Sequence, residues 1–229
     1  MRIRSCFAIT GKIRFLSHLD LLKVMERALK RAQLPVTFSQ GFNPHPQIAF
    51  ATAKSVGLAS TCEYFDVELD QTMDPSEFQR RLQEKCPHGI EILQSREIPS
   101  DARALMALIN SASYQVLVQT KDALTGEELD KKIAELFART EIKVERISPK
   151  KRKEFDIRPG IFSLTYSMDA PQRVLLEMDL SMGNLGNVRP HEVVVALGLD
   201  DYEILDITRV EMFIGSANGA KITDLWQTK

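Results

Sequence analysis

Apolar and polar positions change period several times along the chain, and each change marks an element. Arg2 to Thr10 reads as a strand ended by Gly11, followed by the basic approach Lys12-Ile13-Arg14-Phe15. From Ser17 the period becomes helical. Leu22, Met25, Leu29 and Ala32 share one face, Ser17 with Asp20 three residues on makes a capping pattern, and Pro35 ends the helix. The opposite face carries Lys23, Arg27, Lys30 and Arg31. Strands at Val36 to Ser39 and Gln47 to Ala53 flank Gly41-Phe42-Asn43-Pro44-His45-Pro46, whose prolines exclude regular structure. Cys62 to Leu69 is another strand, Asp74-Pro75-Ser76-Glu77 opens a helix running to about Lys85, and Ile90 to Arg96 is the strand after it.

The second half repeats that order. Tyr114 to Thr120 is a strand, Thr125-Gly126-Glu127-Glu128 opens a helix through Leu136, and Ile142 to Ile147 is a strand. Phe162 to Ser167 and Val174 to Leu180 form a hairpin, Pro190 to Leu197 is a short helix stopped by Gly198, and Ile204 to Ile214 is the last strand. The expected fold class is α+β: two tandem ferredoxin-like βαββαβ units with antiparallel sheets. The boundaries are 1–98, a linker at 99–113, and 114–229.

With 229 residues, 44% of them hydrophobic, the chain can bury a full core without staples. Cys6, Cys62 and Cys86 are odd in number and widely spaced, so neither a disulfide framework nor a metal motif is written here; no metal and no cofactor are expected. No signal peptide and no membrane-spanning stretch is visible, so a cytoplasmic location away from membranes is the expectation. The net charge of −1 hides an asymmetry: residues 1–54 hold nine Lys and Arg against two acids, so this segment carries +7 and the rest −8. Such segregation can set up a local field for a polyanion. A solvated basic face paired with acids elsewhere explains the charge equally well.

Three places could carry chemistry. Ser17, His18 and Asp20 at the first helix opening, with Ser39, Gly41, Asn43 and His45 in the following loop, combine a helix N-terminus with two imidazoles near neutrality. They suit a phosphate or carboxylate, with His18, Asp20 and His45 as candidate catalytic groups. The second is Lys150-Lys151-Arg152-Lys153 with Arg158, a basic loop between strands of the kind that contacts phosphates, or simply a soluble loop. The third is the turn from Gly183 to His191, which lacks the Walker lysine and the dinucleotide glycine pattern.

Taken together, Arg14-Phe15-Leu16-Ser17-His18-Leu19-Asp20, Arg27-Ala28-Leu29-Lys30-Arg31-Ala32, Leu34-Pro35-Val36 and Ser39-Gln40-Gly41-Phe42-Asn43-Pro44-His45-Pro46 resemble the radical-SAM-linked family of bacterial proteins. Glu63-Tyr64, Asp156-Ile157-Arg158-Pro159-Gly160-Ile161 and Asn187-Val188-Arg189-Pro190 extend that resemblance over nearly the whole chain. It implies association with a radical SAM protein, and, because no CxxxCxxC is present, the role of a separate, non-catalytic partner. It also implies a part in RNA modification, with tRNA or rRNA as the second partner. On that view Arg14, Ser17, Arg27, Arg31, Ser39, Asn43 and Glu63 bind ligand, while Lys23, Lys30, Lys150, Lys151, Arg152, Lys153 and Arg158 contact nucleic acid. The alternatives are a stand-alone enzyme acting on a small anion through His18, Asp20, Asn43 and His45, and a protein-only adaptor.

Overall fold

The computed structural model of the chain describes residues 1–148, 151–215 and 221–226. It is a mixed α/β protein with mostly antiparallel strand pairing. The elements are β1 (Arg2–Ile9), α1 (His18–Arg31), β2 (Ile48–Phe50), β3 (Ala59–Glu68), α2 (Pro75–Gln83), β4 (Ile90–Ile98), α3 (Leu105–Leu108), β5 (Ser111–Thr120), α4 (Gly126–Ala138), β6 (Lys143–Ser148), β7 (Lys151–Asp156), β8 (Ile161–Ala170), β9 (Arg173–Ser181), α5 (Pro190–Leu197), β10 (Tyr202–Gly215) and β11 (Lys221–Ile222). They fall into two compact units, Met1–Asn110 with Arg209–Lys229, and Ser111–Thr208. Since β10 runs through that division, residues 209–229 go with the first unit, not with the second where the boundary at 114–229 put them.

In the first unit the strand order is β4-β1-β3, and the other edge of β3 carries β2 and the second half of β10. Both β3 and β4 run antiparallel to β1. Side chains alternate across a strand, and β1 uses its two faces differently. Ile3 and Phe7 join Phe65 and Val67 under α1 and α2, which bury Leu21, Met25, Leu29, Phe78 and Leu82. Phe7 meets Phe65 edge-on at 5.5 Å. Arg4 and Cys6 point the other way, toward Asp66 and Tyr64. Helix α1 starts where its cap predicts: the Ser17 hydroxyl accepts the Asp20 N–H and donates to the Asp20 carboxylate at 2.7 Å.

In the second unit the order is β10-β5-β9-β8, using the first half of β10. β5 alternates, burying Ala112, Tyr114, Val116 and Val118, and β9 answers with Val174, Leu176, Met178 and Leu180. Thr125 and Glu128 cap α4 reciprocally, and Gly198, at φ 68°, ends α5 in the left-handed conformation that glycine adopts freely. Three expectations need correction. Val36 and Phe38 form isolated bridges to Leu69 and Pro46 and not a strand. Residues 99–113 are no plain linker, since they contain α3 and the start of β5. The basic stretch after Ile147 is no loop either: Lys151–Asp156 is β7, paired with β6 as a two-stranded hairpin. Lys150 lies outside the described residues. Among the described residues no helix is long and apolar enough to cross a membrane.

Candidate functional site

The first-unit residues lie along α1. His18 opens the helix, with its ring edge-on to Phe50 at 5.5 Å and its Nδ1 buried without a hydrogen-bond partner. His45 sits elsewhere. Its Nδ1 is 3.6 Å from the Glu26 carboxylate, while its backbone N–H donates to the Ser39 hydroxyl at 3.1 Å and its carbonyl accepts the Ser39 N–H. His18 and Glu26 are eight residues apart on one helix, about 12 Å along its axis, so His45 is seated two turns from His18. Asp20 is engaged by the cap and lies 3.7 Å from Lys23. Asn43 is exposed in the loop beside Phe42.

The cations of α1 divide by role. Lys23, Arg27 and Lys30 are exposed at intervals of four and three residues, which makes a single stripe. Lys30 lies over the Phe38 ring at 5.6 Å. Arg31 instead donates to the Lys85 carbonyl at 2.8 Å. Arg14 donates to the Gly57 carbonyl at 2.6 Å, and Lys54, buried beside it, donates to the carbonyls of Arg14, Ser55 and Leu58. Burial pulls the Lys54 ammonium down to about 8 despite Glu63 nearby. Glu63 is itself buried, 3.4 Å from Arg209. These groups tie the segment 51–58 to the turn before α1.

The second-unit cations converge with the Gly183 to His191 turn. The β6–β7 register sets Val144 opposite Phe155 and Arg146 opposite Lys153, so these four share one face; Glu145 and Arg152 lie on the other, paired at 3.6 Å. The Arg146 face borders a groove of about 820 Å³ that is also lined by Arg189, His191 and Val195. Arg146 donates two bonds of 2.7 Å to Glu192 and one to the Asn187 carbonyl, and its guanidinium lies 4.6 Å over the Phe155 ring. Burial opposes charge on Glu192, but the Arg146 bonds and the Arg189 backbone N–H outweigh it and hold the carboxyl below its ordinary range. Partial burial lowers His191 as well. Arg158 is occupied differently, donating to the carbonyls of Ile161 and Phe137 and lying over the Phe137 ring.

One cluster was invisible in the spacing of the sequence. Cys6 and Cys62 are free thiols on the paired strands β1 and β3. The neighbouring Cys6 thiol brings Cys62 down to about 7, against the effect of its burial, while Cys6 is driven up; burial pushes Cys86 up to about 11. Cys62 alkylation by iodoacetamide should therefore rise through pH about 7, well ahead of Cys86, when followed by mass spectrometry across pH. A Cys62 no faster than Cys86 would remove this assignment. Among the described residues no group of three or more His, Cys, Asp or Glu is placed to hold a metal ion.

The chain is similar in fold to a chain of the Cbf5–Nop10–Gar1 complex, with a TM-score of 0.51 at 10% identity, over 90% of this chain and 48% of that one. A chain of an H/ACA RNP bound to a substrate RNA containing 2'-deoxyuridine matches at a TM-score of 0.47 and 8% identity, over 91% and 46%. A chain of the archaeal box H/ACA sRNP Nop10–Cbf5 complex matches at 0.46 and 9%, over 90% and 47%. The chain thus spans about half the length of these structures, and at such identities the likeness is one of fold alone. No curated protein matches the sequence. Residues 2–190 match the model of the family described as "Uncharacterized protein conserved in bacteria (DUF2344)", and the chain belongs to that family.

Proposed function

We propose that this protein is a non-catalytic accessory subunit that binds RNA, tRNA or rRNA, for modification by a radical SAM enzyme. The observation that carries the RNA part is the exposed stripe Lys23, Arg27 and Lys30 on α1, a ladder of cations about 5 Å apart along the axis. Such a ladder suits the closely repeated charge of a nucleic-acid backbone. The motifs shared with the radical-SAM-linked family support the enzyme partner, and the apolar surface at one end of α1 gives it a place to dock. There Phe15, Leu19 and Val56 are each more than 60% exposed, and the Gly57 N–H next to Val56 donates to the Arg14 carbonyl. The fold neighbour with the higher similarity is itself part of a multi-protein complex, an analogy of fold only. We also read each unit as ferredoxin-like, with the β6–β7 hairpin inserted in the second.

A stand-alone enzyme built on His18, Asp20, Asn43 and His45 has less support, because His18 packs on Phe50 and His45 faces Glu26 two turns away. The test has two parts. Affinity for single-stranded RNA should fall steeply with salt, and reversing Lys23, Arg27 and Lys30 together should reduce the slope of log affinity against log salt by about 2. Tagged protein drawn from bacterial lysate, with and without nuclease, should bring down a radical SAM protein and a nuclease-sensitive RNA. A salt-independent affinity would overturn the RNA reading, and a preparation free of any radical SAM protein would overturn the partner.

A further inference from the structure

We propose that the groove between the β6–β7 hairpin and α5 is a binding site for a single unpaired nucleotide, with its base against Phe155 and its phosphate held by Lys153 and Arg189. This rests on, and deepens, the reading of the protein as an RNA binder, but it names a different unit and a different chemistry from the α1 stripe. The stripe is an exposed ladder of cations with the Phe38 ring beside Lys30; the groove sets its cations and its aromatic ring around an enclosed volume.

Three observations carry it. The first is an imbalance of charge. Lys143, Arg146, Lys153 and Arg189 line the groove with only Glu145 and Glu192 as acids. Glu192 is saturated by Arg146 and the Arg189 backbone N–H; Lys143 and Glu145 alternate onto the other face of the hairpin, where Lys143 meets Glu141 and Glu154 and Glu145 meets Arg152, so the charge in excess at the groove is that of Lys153 and Arg189. Lys153 stands directly opposite Arg146, and like charges in register repel. Glu192 offsets one of them, so an anion placed at Lys153 and Arg189 would relieve the other. The second is the preparation of the ring. Arg146 cannot swing freely, because Glu192 and Asn187 hold three of its donor bonds, and so its guanidinium stays over one side of Phe155. Phe155 remains 37% exposed and lines the groove, a fixed aromatic platform with little freedom left to lose on binding.

The third is size and lining. A groove of about 820 Å³ falls in the range of ligand sites and exceeds what one side chain fills. Val195 is 62% exposed on its α5 wall, an apolar surface on which a base or ribose can rest. His191, lowered by partial burial, is a neutral donor or acceptor there for a base edge at neutral pH. Free nucleotide and an unpaired residue of RNA share this chemistry, and the measurement separates them.

The experiment titrates the full chain with uridine monophosphate, with a short oligouridylate, and with an RNA duplex, by calorimetry. The variants are Phe155→Ala and Lys153→Glu, with Lys131→Glu on the exposed side of α4 as a charge control. Phe155→Ala and Lys153→Glu should each weaken uridine monophosphate and oligouridylate binding by about tenfold or more, Lys131→Glu should leave both nearly unchanged, and the duplex should be insensitive to Phe155. Uridine monophosphate binding that is sensitive to Phe155, without oligouridylate binding, would keep the groove and remove the RNA reading. Oligouridylate binding that ignores Phe155 and Lys153 while responding to the α1 stripe would overturn the groove and keep the RNA reading. Equal losses from Lys153→Glu and Lys131→Glu would reduce the effect to net charge and overturn the site.

Discussion

Asp66→Ala should lower the stability of the first unit by about 3–5 kcal/mol, the range for removing one partner of a buried ion pair. Asp66 receives the fully buried Arg4 through two bonds, 2.7 Å from Nε and 3.0 Å from Nη2, and a third bond of 2.8 Å from Arg2. Arg4 also donates to the carbonyls of Arg103 and Leu225. The guanidinium is thus satisfied by one carboxylate and two carbonyls, and only the carboxylate offsets its charge. With alanine in place, Arg4 would remain fully buried with no carboxylate bonded to it, beside Arg2, which keeps Glu68 at 3.7 Å. The urea midpoint should fall sharply at an unchanged m-value. Arg4→Met with Asp66→Leu removes both charges and should recover most of the loss, because well-packed apolar residues replace a buried pair at little cost. A single-variant loss below about 1 kcal/mol, the scale of an exposed pair, would show that water reaches Arg4.

The elements that were legible in advance are those written locally. The Ser17 cap, the Asp74-Pro75 start of α2 and the Thr125–Glu128 box depend on residues within four positions of one another, the start and stop of α5 are each set by a single residue, Pro190 and Gly198, and all stand where the pattern put them. What was not legible depends on partners far along the chain. Lys151–Asp156 is strongly charged, and a run of this kind reads as a loop. It becomes a strand because β6 supplies diagonal counter-charges, Glu145 to Arg152 at 3.6 Å and Lys143 to Glu154 at 3.9 Å. Pairing also sorts its charges by face, so that Lys153 borders the groove while Arg152 does not. The same holds for Arg158, whose place in a basic run suggested phosphate contact and whose donors instead meet carbonyls of the fold.

At the candidate sites, the residue types were readable and their grouping was not. His18 and His45 are close in sequence yet separated by two turns of α1, because the loop returns against Glu26 and not against the helix start. Arg146 and Glu192 are 46 residues apart and meet in two bonds. Cys6 and Cys62 are brought together only by the register of β1 on β3. In each case a tertiary contact decides which of several similar side chains acts, and no periodicity announces it.

Glu192→Ala should destabilise the second unit by about 3 kcal/mol and carry a pH signature that distinguishes charge from packing. Glu192 is nearly buried, accepts two bonds from Arg146 and closes the start of α5 by accepting the Arg189 N–H at 3.1 Å. Its folded carboxyl titrates below its unfolded value of about 4.3, so the stability it contributes is fully present above that pH and fades as pH falls through the lower, folded value. In the variant that acid-sensitive portion disappears. Urea unfolding of wild type and variant should therefore differ most near neutrality and draw together as pH falls below the ordinary carboxylate range. A difference that stays constant across pH would assign the loss to packing and the helix cap alone. The groove should respond as well: freed from Glu192, Arg146 no longer has its fixed seat over Phe155, and uridine monophosphate affinity should fall even at neutral pH, where the variant is still folded.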